Sequence, residues 1–219
     1  MTAEQRERFR VGLRAGLGFG AAAFVVGVAF GVVAEPLMGS WAPIVMSAVV
    51  FAGAAQFAVT SVLASGGGVA TAIATGAMLN ARFLPMGVAV ASALRGSRLR
   101  RALEAQTVVD ASWAFAARGE GRFDRETMLG ATLPQYPGWV LGTVVGVVAG
   151  GTLGDPEALG LDAIFPAFFL GLLAAELRRP RALPTIVIAG AIALALTPIL
   201  PAGLPLLLAS CAALIGLRR

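Results

Sequence analysis

From Pro36 to Leu94 the sequence holds a single charged side chain, Arg82. So long a neutral stretch has room for two bilayer crossings of about 20 apolar residues each. The lone charge falls near the middle of the second one. A cation at the bilayer centre costs roughly 2.5 kcal/mol or more unless it faces a partner or a water-filled cavity. Two other polar groups sit at comparable depth: Gln56 inside FAGAAQF (Phe51 to Phe57) and Asn80 inside LNARFLP (Leu79 to Pro85). Function is therefore expected in this pair of segments.

The whole chain follows suit. Its 219 residues are 58% hydrophobic and 13% charged, which excludes an ordinary soluble domain or a disordered chain. The fold class is all-α, a polytopic transmembrane helical bundle forming one integral membrane domain over 1–219. All 17 basic residues are Arg, and the net charge is +5. Nearly all lie at the ends of apolar runs, where they set orientation and meet anionic headgroups of the lipid bilayer. Nucleic acid is not the expected partner. With no His and one Cys (Cys211), a disulfide framework, the common zinc and haem ligand sets, and Ser–His or Cys–His catalysis are all missing. No metal, cofactor or enzyme activity is expected.

Residues 1–14 form a polar lead-in, and Ala15 to Ala34 a first span. The Val32-Val33-Ala34 stretch resembles a signal cleavage site, but the apolar run exceeds the roughly 7–15 residues of a signal core. Gly12, Gly16 and Gly20, then Gly27 and Gly31, put small residues on one face for close helix packing. Glu35 and Pro36 are expected to end the helix. A run from Ile44 to Ala64 follows, then Ser65 to Gly68 as a tight connection, then Val69 to Leu94. Pro85 removes a backbone donor three residues after Arg82 and predicts a helix break there. Interrupted helices beside buried charges build midplane sites in transporters. A plain kink, with Arg82 bonding freed carbonyls, is the alternative.

The segment from Ala102 to Ala117 has three readings: a short span, an interfacial helix, or a half-helix packed inside the bundle. Asp110 is its central charge and the one carboxylate that reads as buried. If the segment enters the membrane, Asp110 is the natural counter-ion of Arg82. Further spans are expected at Met128 to Gly150, Ala163 to Leu177, Leu183 to Leu200 and Gly203 to Leu217, giving about seven crossings, six to eight in range. Charge asymmetry places both termini and Arg178 to Arg181 in the cytoplasm and 155–162 outside. The cluster Arg95, Arg98, Arg100 and Arg101 conflicts with that assignment. Either 44–94 makes one net crossing, as a broken or re-entrant element would, or the cluster is external.

Four motifs in order, FAGAAQF, LNARFLPMG, VVDASWAFA and FPAFFLGLL (Phe165 to Leu173), resemble the AzlC-like family of branched-chain amino acid exporters. The resemblance runs over roughly Gly12 to Leu217. It implies the large subunit of a two-component exporter in a bacterial inner membrane, with a small AzlD-like membrane subunit as partner. It also implies valine, leucine, isoleucine or methionine as substrates, moved outward on a proton or ion gradient. Members often carry Asp-Glu where this chain has Asp110-Ala111, which leaves Asp110 alone for any coupling role.

A zwitterionic substrate at the midplane needs a cation or helix N-terminus for its carboxylate and an acceptor for its ammonium. Arg82 and the helix end near Pro85 suit the first; Gln56 or Asn80 suits the second. Phe51, Phe57 and Phe83 suit a branched aliphatic group. In an unbroken helix Asn80 and Arg82 would point to roughly opposite sides. A channel, a transporter of another small solute and a non-transporting subunit are the alternatives.

Overall fold

The first helix is set by its cap. In the computed structural model, which describes residues 1–119, 121–152, 182–200 and scattered positions between 160 and 212, Thr2 and Gln5 exchange side-chain-to-backbone hydrogen bonds of 3.2 and 2.8 Å. This capping box satisfies two N–H groups that a helix start otherwise leaves open. Helix α1 then runs Ala3–Met38. The polar lead-in is thus its first turns, and Glu35 and Pro36 do not end it. Pro36 removes one hydrogen bond near the end, but Gly39, at φ 74°, makes the stop, in a conformation that a side chain disfavours.

The other described helices are α2 (Trp41–Val49), α3 (Gly53–Ala64), α4 (Val69–Asn80), α5 (Phe83–Val90), α6 (Arg98–Ala105), α7 (Asp110–Ala116), α8 (Arg125–Ala149) and α9 (Leu183–Leu196). Among the described residues there is no strand, only an isolated bridge between Ala117 and Phe123. The helices fall into two compact units: residues 1–53 with 81–156, and residues 54–80 with 157–219.

The first unit is built on α1 and α8. Gly12 lies against Thr127, Gly16 against Ala131, Gly20 against Pro134, Gly27 against Trp139 and Gly31 against Thr143. Both numbers rise together, so the helices are parallel. A Cβ on Gly27 would fall 2.6 Å from the Trp139 carbonyl oxygen; only glycine allows backbones this close. Trp139 is 6% exposed and stacks on Phe30 at 6.1 Å, so it packs in the bundle rather than at an interface. Ser47 of α2 and Thr143 share a buried 2.8 Å hydrogen bond.

Parallel α1 and α8 put their N-terminal ends together, and Arg8 meets Asp124 there at 2.9 Å. The Arg95 N–H bonds Glu104, whose carboxylate also takes Arg125 at the start of α8. The cluster from Arg95 to Arg101 therefore lies at the same end as residues 1–10 and 118–125. Within the first unit the chain thus enters at the far end with α2 and finishes at the basic end with α5. Helix α2 comes from the far end, with the Ala48 carbonyl receiving the Tyr136 hydroxyl at 2.7 Å. Helix α5 runs on toward the basic end, where Val90 packs with Met128, Val108 and Ala116.

Helices α6 and α7 form a pair that doubles back on the start of α8: α6 is exposed apart from Glu104, and α7 buries Ser112 and Ala116. Glu104 is anchored at Arg125, Thr107 meets Thr132 (2.9 Å) and Ala116 returns to Asp124 (2.8 Å). Seven helical steps from Arg125 to Thr132 measure about 10 Å, the reach of the pair along α8.

In the second unit, α3 and α4 form an antiparallel hairpin. Gly66, at φ 77°, turns the chain, the Gly67 N–H bonds the Val62 carbonyl at 2.8 Å, and Gly76 sits against Val59 and Ala55. Helix α9 ends at Leu196 and gives way to turns at 197–199.

Among the described residues, two helical stretches are long and apolar enough to cross a membrane, Ala3–Met38 and Val69–Val90, with Gly53–Ala64 and Leu183–Leu196 as shorter apolar helices. The single run expected from Ile44 to Ala64 is two short helices, because the chain breaks at 50–52. The runs expected at 163–177 and 203–217 and the loop 155–162 lie essentially outside the described residues.

Candidate substrate and ion-coupling site

The Val69–Val90 stretch is interrupted at Ala81 and Arg82. Pro85 accounts for the place. Its missing N–H would have bonded the carbonyl four residues back, Ala81, and its ring clashes with that carbonyl in a regular helix. The Leu84 N–H takes the Ala81 carbonyl instead, at 3.1 Å. Arg82 becomes the residue that starts α5, and the straight-helix geometry separating it from Asn80 no longer applies. Asn80 closes α4, with its Oδ1 buried and without a hydrogen-bond partner.

Arg82 meets Asp110, the first residue of α7. Its Nη2 donates to Oδ2 at 3.0 Å and its Nε to Oδ1 at 3.3 Å, the two-pronged geometry of an Arg–carboxylate pair. The guanidinium carbon lies 4.8 Å from the Phe83 ring centroid. The side chains are 33% and 54% exposed. Asp110 is thus not a buried carboxylate: it starts α7 on the exposed side of the α6–α7 pair. Its depth follows from its neighbours, since Thr107 lies level with Thr132 and the Gln106 amide donates to the Val49 carbonyl at 2.6 Å.

The other candidate residues divide between the units. Phe51, in the first, is 8% exposed and meets Tyr136 edge-on at 5.1 Å. It also holds φ 45°, rare for a bulky residue and a sign of a backbone held by its surroundings. Gln56 and Phe57 belong to the first turn and a half of α3 and are buried, Gln56 completely. The hairpin pairing puts Gln56 and Asn80 at the same open end of α3 and α4. No group of three or more His, Cys, Asp or Glu suited to a metal occurs among the described residues.

The buried carboxylates are elsewhere, and sequence reasoning missed them. Glu104, 8% exposed at its side chain, takes Arg125 through Nε at 2.7 Å and through Nη2, Arg100 Nε at 3.1 Å and the Arg95 N–H at 3.3 Å. Arg100 four residues ahead of Glu104 was the one local signal; Arg125 is distant in sequence. Asp124 caps α8 by accepting the Thr127 N–H at 2.9 Å and takes Arg8 and Arg118. Burial pushes its carboxyl up, but the Thr127 N–H and the two guanidinium groups hold it below the usual value. An open cavity of about 600 Å³ beside it is lined by Arg8, Arg118, Arg122 and Phe123.

The hydrogen bond from Arg125 carries the Glu104 carboxyl from 4.5 down to about 2, against the opposing effect of burial. A carboxyl depressed on folding stabilises the fold above its unfolded value and loses that contribution as the pH falls toward the folded one. Thermal stability is therefore expected to fall as the pH drops from 4.5 toward 2, and Glu104→Gln to be less stable at neutral pH with a flatter acid limb. Melting curves of both proteins across that range check it; parallel limbs would remove Glu104 from the acid response.

Comparison with known proteins gives the family. The family described as "AzlC protein" matches residues 19–153, more than half of the chain. "Inner membrane protein YgaZ" of Escherichia coli (strain K12) is 31% identical over 157 residues, covering 67% of this chain and 64% of that relative. The chain thus spans slightly less than two thirds of that relative's length. No solved structure matches. A family match over more than half of the chain, with a relative of this identity and coverage, makes the chain a member of the AzlC family.

Proposed function

We propose that the protein exports branched-chain amino acids, valine, leucine, isoleucine and possible relatives such as methionine, as the large subunit of a two-component exporter driven by the proton or ion gradient. One observation carries this reading: a half-exposed Arg82–Asp110 pair at a helix break, within the depth of the bundle. Charged groups do not face hydrocarbon at such depth; they face water-filled cavities. The pair therefore opens on an aqueous path.

The chemistry of exchange follows. A substrate carboxylate competes with Asp110 for the Arg82 guanidinium, aided by the N-terminal end of α5. Asp110, once displaced, has lost its cation, which links substrate binding to the state of this one side chain. Phe51 is the apolar contact of this reading within the first unit, and Gln56, Asn80 and Phe57 are candidate substrate contacts carried by the second. The basic end, with residues 1–14 and Arg95 to Arg101, is cytoplasmic by the positive-inside rule.

The test is counterflow of labelled leucine in vesicles holding the protein with and without the small AzlD-like subunit. Exchange that needs both subunits supports the proposal. Exchange of an unrelated solute, or none with both present, sinks it. Asp110→Asn is expected to leave counterflow measurable while removing its response to an imposed proton gradient; an unchanged response takes Asp110 out of coupling.

A further inference from the structure

Two parts of the chain repeat each other. VVGVAFGVVA (Val25 to Ala34) returns as VLGTVVGVVA (Val140 to Ala149), and LPMG (Leu84 to Gly87) returns as LPAG (Leu200 to Gly203), in the same order and at nearly the same shift. Short apolar motifs recur by chance, but the contacts are independent of that objection. Gly31 approaches the Thr143 carbonyl, and Gly146 approaches the Val28 carbonyl; Val28 and Thr143 occupy the same place in the two motifs. Gly27 approaches the Trp139 carbonyl, and Gly142 that of Phe24, likewise equivalent positions. These two contacts are each made twice with the roles exchanged. That is the mark of a two-fold axis, here running along the parallel helices α1 and α8.

The second motif also has its structural match. Helix α4 stops at Asn80, four residues before Leu84, and α9 stops at Leu196, four residues before Leu200. Pro201 lacks the N–H that would bond the Thr197 carbonyl, as Pro85 does for Ala81. After α9 the Ile199 and Leu200 N–H groups both turn to the Leu196 carbonyl, at 3.0 and 2.9 Å, and the Thr197 hydroxyl to Ala193 at 2.7 Å.

We infer that the chain consists of two parallel repeats and that Thr197 to Leu200 is the second repeat's counterpart of the break at Ala81 and Arg82, and itself contacts the transported substrate. Proline-interrupted apolar segments at corresponding positions of two halves are where transporters bind substrate. The two breaks differ in chemistry. Where the first presents Arg82 and Phe83, the second presents Pro198 and Ile199. It is suited to an aliphatic side chain and not to a charge. This inference rests on the transport reading above.

Two experiments test it. In a Cys211→Ser background, single cysteines replace Trp41 and Thr152, just past the far ends of α1 and α8, and Arg98 and Arg218, which follow the two repeats in sequence. Parallel repeats place Trp41→Cys and Thr152→Cys on one face toward an impermeant maleimide, and Arg98→Cys and Arg218→Cys on the other. Members of a pair labelling from opposite faces overturn the repeat. For the second break, Ile199→Ala is expected to raise the KM for leucine by roughly tenfold with kcat retained and normal membrane amounts. An unchanged KM removes the second break from the path. Loss of transport in Arg82→Ala beside an unaffected Ile199→Ala sinks this inference alone, whereas no transport by the unaltered protein sinks the reading beneath it.

Discussion

Arg82→Ala is expected to abolish export while the protein still reaches the membrane in normal amount. The guanidinium is the one cation between Pro36 and Leu94, and it stands at the helix break with its fork on Asp110. Losing a charge-assisted hydrogen bond to the substrate carboxylate costs roughly 1.5–3 kcal/mol, so flux at low substrate should fall by about tenfold or more. Folding is expected to survive because the pair is half-exposed and ties no buried core. Arg82→Lys keeps the charge but loses the two-pronged geometry and should fall between. Leucine efflux from loaded cells, normalised to the amount in the membrane, measures all three. Normal export by Arg82→Ala would remove Arg82 from the path, and with it the observation that carries the proposed function.

The second large effect is on stability. Gly27→Ala puts a methyl group 2.6 Å from the Trp139 carbonyl oxygen, a backbone atom that moves only if α1 and α8 separate. Overpacking of this kind costs about 1–3 kcal/mol or more. Gly142→Ala, which meets the Phe24 carbonyl from the other side, should cost as much. Gly18→Ala lies on the same helix with nothing within 4 Å, and its higher helix propensity should make it neutral or slightly stabilising. Thermal unfolding in detergent is the measurement, with a fall of roughly 5 °C or more expected at positions 27 and 142. Equal melting of Gly27→Ala and Gly18→Ala would show that the close approach of the two helices is not what holds the first unit together.

Much of the architecture was legible because it depends on local composition. Long apolar runs, glycines at every fourth position and arginines at run ends identify a helical membrane protein whatever its tertiary arrangement, since the bilayer admits a backbone only if its polar groups are satisfied. Pro85 marked the break, and its missing N–H determined which carbonyl would be freed. Glu35 and Pro36 misled, because one lost hydrogen bond near a helix end is cheap while the rest of α1 packs on α8. The reading of Asp110 as the buried carboxylate failed for a related reason. Burial is a property of neighbours, and the neighbours of Glu104 come from Arg125, remote in the chain, while Asp110 opens a helix on the exposed side of its pair.

By itself the sequence determined a helical, membrane-embedded chain with one conspicuous intramembrane cation and a proline beside it. Only the tertiary structure decided that α1 and α8 run parallel, that α5 finishes at the end where α1 and α8 begin, and that a carboxylate from α7 reaches Arg82. The physical reason is the same throughout. Propensity, hydropathy and charge spacing act over a few residues, whereas direction, depth and ion pairing are settled by which distant backbones can approach, and here glycines on two helices allow one approach in particular.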